Sequence, residues 1–131
     1  MRSQFPTRHH YSAQTPRSGG LTVVDVGALH AAESEAYRND VLANVNGDCM
    51  RMSVFEGEYR WHRHPGSDEL FLVVERRVHI DFAGRETVEL TPWQFIVVPA
   101  GTVHRTRAIG RTVNLTFEQQ GARTEFVDEE S

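Results

Sequence analysis

Lysine is absent from this 131-residue chain, so all 14 of its basic residues are arginine. Schiff-base catalysis, attachment of pyridoxal phosphate and a phosphate-loop lysine each require that primary amine, and those classes are excluded. Cysteine is nearly absent as well. The single Cys49 rules out an intramolecular disulfide and a cysteine-based zinc or iron–sulfur centre. With no base identified beside it, Cys49 reads as a small packing residue rather than a nucleophile. No apolar run approaches the roughly 18 residues of a membrane span, so no membrane partner is expected. The first twenty residues lack the apolar core of a secretory signal, and a cytoplasmic location is the expectation. Net charge is −4, the arginines are scattered among acids, and no helix carries a basic stripe, which argues against a nucleic-acid partner.

The length suits one compact domain, and no long internal repeat divides it. Residues 1–20, ending in Ser18-Gly19-Gly20, are expected as a flexible arm, 21–120 as the ordered domain, and 121–131 as an acidic, polar tail that frays. Leu21 to Val26 reads as a strand and Gly27 to Arg38 as a short helix. Beyond that the pattern is nearly all β. Strands are expected near 41–45, 49–56, 58–64, 69–75, 77–82, 85–90, 94–98, 103–108 and 111–118, joined by Gly, Pro, Asn and Asp turns, as in a barrel or sandwich.

Chemistry concentrates in two patches. In Trp61-His62-Arg63-His64-Pro65-Gly66-Ser67-Asp68-Glu69 the two histidines stand two apart, so one extended strand projects both from the same face. Pro65 to Asp68 is a turn signal, and the strand that follows can aim Glu69 back at the pair. The second patch runs from Phe95 through Pro99-Ala100-Gly101 to His104, a strand, a tight turn and a new strand carrying a third imidazole. If the four converge, the donor set suits one divalent transition metal ion (Fe, Mn, Ni, Zn or Cu) with one or two coordination positions left open. His9, His10, His30 and His79 lack ligand spacing and read as ordinary polar residues.

Strand alternation extends the reading. With His62 and His64 inward, Arg60, Met52 and Met50 share that face, while Trp61 and Arg63 face out. Arg60 is thereby a candidate anchor for a substrate carboxylate, against the simpler reading of a rim salt bridge to Glu58 or Glu56. Thr106 is expected inside with His104, and Phe71, Val73, Phe95 and Val97 as pocket walls or ordinary core. Arg105 and Arg107 should point outward.

The two patches resemble the paired motifs of the cupin superfamily. His62-Arg63-His64 and Glu69 match the first motif, with Gly57 one residue nearer than usual, and Pro99-Ala100-Gly101-Thr102-Val103-His104 matches the second. The similarity is strongest from Val45 to Phe117 and is closest to small single-domain bacterial cupins described as mannose-6-phosphate-isomerase-like. It implies an all-β, single-domain double-stranded β-helix (jelly-roll) barrel with metal held by His62, His64, Glu69 and His104. It also implies a homodimer in which an early strand, here Leu21 to Val26, joins the partner's sheet. Arg76, Trp93 and Ala108 depart from the family's glycine, glycine and asparagine. Glycine serves at the first two because those corners often demand positive φ, so the turns are expected to be rebuilt, with Trp93 laying its ring over a barrel mouth.

Two functions follow from the resemblance. One is a metal-dependent enzyme acting on a small oxygenated metabolite, as dioxygenases, isomerases and lyases of this superfamily do; no separate acid or base can be read, although Glu58 and Tyr59 lie nearby. The other is a non-catalytic small-molecule or sugar-binding module, which the lack of a helix-turn-helix region disfavours as a self-contained regulator. A purely structural barrel is disfavoured because clustered, buried imidazoles need partners.

Overall fold

The computed structural model describes residues 15–127, so the parts of the expected arm and tail at 1–14 and 128–131 lie outside the described residues. Among the described residues there are one short helix, α1 (Val26–Ala31), and nine strands: β1 (Arg38–Val45), β2 (Asp48–Glu58), β3 (His62–Arg63), β4 (Glu69–Glu75), β5 (Val78–Phe82), β6 (Arg85–Leu90), β7 (Phe95–Val98), β8 (His104–Gln119) and β9 (Glu125–Phe126). All the ladders are antiparallel. The β-branched and aromatic composition favours strands, and alternation shows in β4, where Glu69, Phe71 and Val73 are buried while Leu70, Leu72 and Val74 are only partly so.

β8 organises the barrel. It pairs with β2 along both halves, with β3 and β5 near its start, and with β4 near its end. The turn-over between the halves falls at Gly110, whose φ is +79°, a conformation open to glycine at no steric cost. A Cβ there would lie 3.2 Å from the Arg76 guanidinium carbon. One apolar cluster, including Phe55, Phe71, Val73, Ile80 and Val98, fills the barrel, and a second, built on Leu42, Met52, Val54, Val113 and Leu115, lies on the other face of the same strands. Helix α1 covers the second cluster with Val26 and Leu29.

Several expectations change here. Leu21 to Val26 forms no strand: Asp25 instead caps α1, accepting a hydrogen bond from the Ala28 amide at 3.0 Å. The helix stops at Ala31 rather than reaching Arg38, because Arg38 already pairs with Val54 in the β1–β2 ladder. The expected strands 103–108 and 111–118 are one strand, β8. Within the expected arm the Arg17 and Ser18 amides donate to the Val41 and Leu42 carbonyls, and within the expected tail β9 pairs with β3.

The corner residues also differ from expectation. Arg76 and Trp93 both hold φ of +70°, so the turns keep the glycine conformation without glycine. Trp93 is 72% exposed and covers no barrel mouth. Its corner is closed by its amide donating to the Val73 carbonyl at 2.8 Å and by the Gln94 side chain accepting from Thr91.

Candidate metal centre

The β3–β8 ladder sets His62 directly opposite His104. His64 follows one residue past β3, and Glu69 opens β4 after the Pro65–Asp68 turn. That turn is stitched to the second one: the Gly101 amide donates to the His64 carbonyl at 2.9 Å and the Ala100 amide to Asp68 Oδ1 at 2.9 Å. Gly101 needs its φ of +81° to make the approach.

All three imidazoles are oriented by the same device. Nδ1 of His62 meets the Arg60 carbonyl at 2.8 Å, Nδ1 of His104 the Thr102 carbonyl at 2.8 Å, and Nδ1 of His64 the Arg123 carbonyl at 3.1 Å. A carbonyl can only accept, so each Nδ1 carries the proton and each Nε2 is left to face inward. The ligand atoms of His62, His64, Glu69 and His104 lie within 4.8 Å of one another, and all four residues are nearly or fully buried. Glu69 Oε1 and His104 Nε2 are buried without a hydrogen-bond partner among the described residues. Inward nitrogens, a carboxylate and unmet buried atoms fit a metal ion, whose coordination would meet those atoms together.

Electrostatics separate the members of the cluster. Burial, reinforced by neighbouring His104 and His64, pushes His62 down to about 3. Burial acts in the same direction on His64, but Glu69, 3.0 Å from its Nε2, outweighs it and holds the imidazole up at about 9. Glu69 itself is disfavoured as an ion by burial, yet the adjoining His104 and His64 rings, with Nε2 atoms 3.6 and 3.0 Å from its Oε1, drive it well below the usual carboxylate range. His64 and Glu69 thus form a buried imidazolium–carboxylate pair.

The cluster borders a cavity of about 90 Å³. Phe71 and Thr106 line it, as their strand parity indicates, with the Phe71 ring 5.9 Å from that of His104. Arg60 is not part of the lining; its guanidinium lies 3.8 Å over the Phe126 ring. Arg51 lines the cavity instead, with Ser53 and Phe55 on the same strand, while Met52, expected inside, packs on the opposite face. The register slips between Phe55 and Gly57, and β2 ends before β3 begins, so alternation does not carry through from His62 to Met52. Val73 is ordinary core, while Phe95 and Val97 are 62% and 47% exposed on the outer face of β7. Arg105 and Arg107 do point outward, where both grip Asp81 at 2.9 and 2.8 Å.

The wall beside the cluster is polar and was not foreseen. Arg51 Nε donates to Glu118 Oε2 at 2.9 Å and its Nη1 to Asn39 Oδ1 at 3.0 Å. Burial, together with the Glu69 charge, pushes the Glu118 carboxyl up to about 7. Burial and the Glu118 charge also raise the Cys49 thiol, in keeping with a packing role. Thr124, beside His64 Nδ1 at 3.3 Å, closes the site from the C-terminal segment.

Comparison with known proteins agrees with this geometry. The cupin domain family matches residues 50–117. The uncharacterized protein YdbB of Bacillus subtilis is 47% identical over 96 residues, spanning 73% of this chain and 85% of that protein. The crystal structure of a cupin-2 domain containing protein from Shewanella frigidimarina superposes with a TM-score of 0.69 at 25% identity, covering 74% of this chain and 94% of the other. Protein NMB1881 from Neisseria meningitidis gives 0.67 at 24% identity, covering 75% and 99%, a likeness of fold alone. A double-stranded β-helix carrying His62, His64, Glu69 and His104 on its two motif turns, matched over more than half its length, belongs to the cupin superfamily.

Proposed function

We propose that the chain is a metal-dependent enzyme acting on a small oxygenated metabolite, with His62, His64, Glu69 and His104 as the ligands of one divalent transition ion. The observation that carries this reading is the clamping of three Nδ1 atoms by backbone carbonyls, which commits three Nε2 atoms and a carboxylate to a point bordering a cavity. A bound ion would supply Lewis acidity toward a chelating oxygen substrate or, if it were iron, a site for dioxygen chemistry.

The chain's own residues do the rest. Phe55 and Phe71 give one part of the cavity an apolar surface that displaces water, and Thr106 offers a hydroxyl near His104. Glu118, buried and held by Arg51, is the non-ligand carboxyl best placed to exchange a proton with substrate. A cavity of about 90 Å³ suits a small metabolite rather than a polymer. A non-catalytic binding module would need the ligand cluster but has no use for a proton-exchanging Glu118 beside it. Homodimerisation and a cytoplasmic location belong to the same proposal, on the grounds of resemblance and sequence; light scattering tests the first.

The test is elemental analysis of protein purified without oxygen or added metal, followed by oxygen uptake and turnover with catechols, enols, thiols and keto acids. About one transition ion per chain is expected, with loss of the ion in His62→Ala and His104→Ala. A folded preparation that takes up no transition ion refutes the proposal, and a loaded protein that binds members of the panel without turnover makes it a binding module.

A further inference from the structure

Beyond the ligand cluster, the cavity holds a polar group with nothing to bind. Asn114 is 3% exposed, lines the cavity, and its Oδ1 has no hydrogen-bond partner among the described residues. Its neighbours are already engaged: Asn39 Nδ2 donates to Ser53 Oγ at 3.0 Å, and Asn39 Oδ1 accepts from Arg51 at 3.0 Å. The cross-strand partner of Asn114 on the same face, Val73, is apolar and fully buried, so an apolar side chain at 114 would be the simpler way to fill this position. A buried carboxamide oxygen left unmet is unfavourable unless a donor enters to meet it.

Register fixes where that group stands. Asn114 pairs across β8–β4 with Val73, and Thr116 with Phe71, whose ring abuts His104. Along this face Asn114 is one side-chain step beyond Thr116, about 7 Å on a two-residue rise, so it lies at the end of the cavity away from the metal ligands. A molecule held by metal at one end and passing Phe71 would reach it with a chain of a few carbons.

We propose that Asn114 reads a hydroxyl group on the ligand, and that the ligand class is a short hydroxylated acid: metal-chelating oxygens at one end, a second hydroxyl three or four atoms away. A hydroxyl both donates and accepts, so it satisfies the carboxamide in either orientation. The assignment rests on the metal-site reading given above. A buried site built to meet a hydroxyl discriminates against the analogue that lacks it, because the carboxamide is then left unmet.

The test uses the full chain loaded with zinc and two probes that share the same chelating end, 2-hydroxybutyrate and 2,4-dihydroxybutyrate. Titration calorimetry is expected to show the dihydroxy acid binding at least about tenfold tighter to the wild type. In Asn114→Val, checked by zinc stoichiometry, the preference is expected to shrink to about twofold or less. Equal affinity of the two acids for the wild type, or binding of neither, overturns the inference even if the variant fails to fold. A preference that survives in zinc-loaded Asn114→Val also overturns it. Those outcomes leave metal uptake intact and so fault this inference alone, whereas failure of the wild type to bind zinc removes the metal-site reading and this inference with it.

Discussion

Zinc binding to the metal-free protein at pH 8 should release close to one proton per ion. His64 is held at about 9 by Glu69, so its Nε2 carries a proton that must leave before the nitrogen can coordinate. At pH 8 a group with that pKa is about 90% protonated, whereas an ordinary histidine near 6.5 is about 3% protonated. His62, held at about 3, brings no proton to the count, and Glu118, at about 7, is already largely ionised. Because the His64–Glu69 pair titrates as a unit, the released proton belongs to the pair. Below pH 9 the fall in zinc affinity should approach tenfold per pH unit; with the pair half deprotonated at pH 9, the loss from pH 9 to pH 7 is about 50-fold, or roughly 2.3 kcal/mol at about 1.36 kcal/mol per tenfold change. Calorimetry in two buffers of different protonation enthalpy reads the proton count directly. Release below about 0.2 proton at pH 8 would show that His64 is not held as an imidazolium, and the electrostatic account of the empty pair would be wrong.

The same pair governs stability without metal. The folded-state pKa of His64 is raised, so its contribution is fully present below about 6.5 and is lost as pH climbs to about 9, by at most about 3 kcal/mol. Urea midpoints of metal-free protein should therefore decline over that window, and a midpoint that rises there contradicts the pairing. Trp93→Gly should relieve about 1–2 kcal/mol of positive-φ strain while losing about 0.5–1 kcal/mol to greater chain freedom, a net gain of up to about 1.5 kcal/mol. Trp93→Ala, which keeps the strained conformation, should show no such gain, and an equal gain in both points to the ring rather than the backbone. Arg51→Leu strands Glu118 without its cation and should destabilise by about 3–5 kcal/mol. Adding Glu118→Leu should recover most of that loss, and a double variant no more stable than the single one denies the ion pair its role. Ending the chain at Ala122 removes the Arg123 carbonyl and Thr124 hydroxyl from His64 Nδ1 and should weaken metal binding about 10–100-fold. Chelator competition measures it, and unchanged affinity would mean that His64 is oriented without the strap.

What the sequence disclosed best was chemistry carried by short-range spacing. His62 and His64 two apart, Glu69 after a proline–glycine turn, and His104 after Pro99-Ala100-Gly101 each depend on a few residues of local geometry, and the fold places all four together. Phe71 and Thr106 were legible for the same reason, since each lies two residues along a regular strand from a ligand. Arg60 was not, because residues 59–61 lie in the break between β2 and β3, where strand alternation does not hold, and the slip at Gly57 then exchanges one face for the other along the rest of β2. A glycine inside an otherwise regular strand was the available signal, as such glycines often mark bulges. Read with parity reset at Gly57, β2 offers Arg51 and Ser53 to the cavity, and the arginine sought near the metal is found.

The other blind spot was the carboxyl-terminal segment, whose polar, acidic composition points to a frayed end. Composition measures how much apolar surface a segment can bury, and Arg123 to Val127 contribute little by that measure. They are retained by directional bonds instead: the His62↔Phe126 ladder, the Val127 amide on the Trp61 carbonyl at 3.0 Å, the Arg63–Glu125 ion pair at 2.8 Å, and Arg60 over the Phe126 ring. The consequence reaches the metal centre. Two of the three Nδ1 clamps are local, each accepting carbonyl lying two residues before its histidine, but the third joins His64 to Arg123 across 59 residues. Local clamps form with their own hairpins; the distant one forms only when the last strand docks. His64 is also the ligand that pairs with Glu69 when metal is absent, so docking of the carboxyl-terminal strand decides whether its Nε2 faces the other ligands.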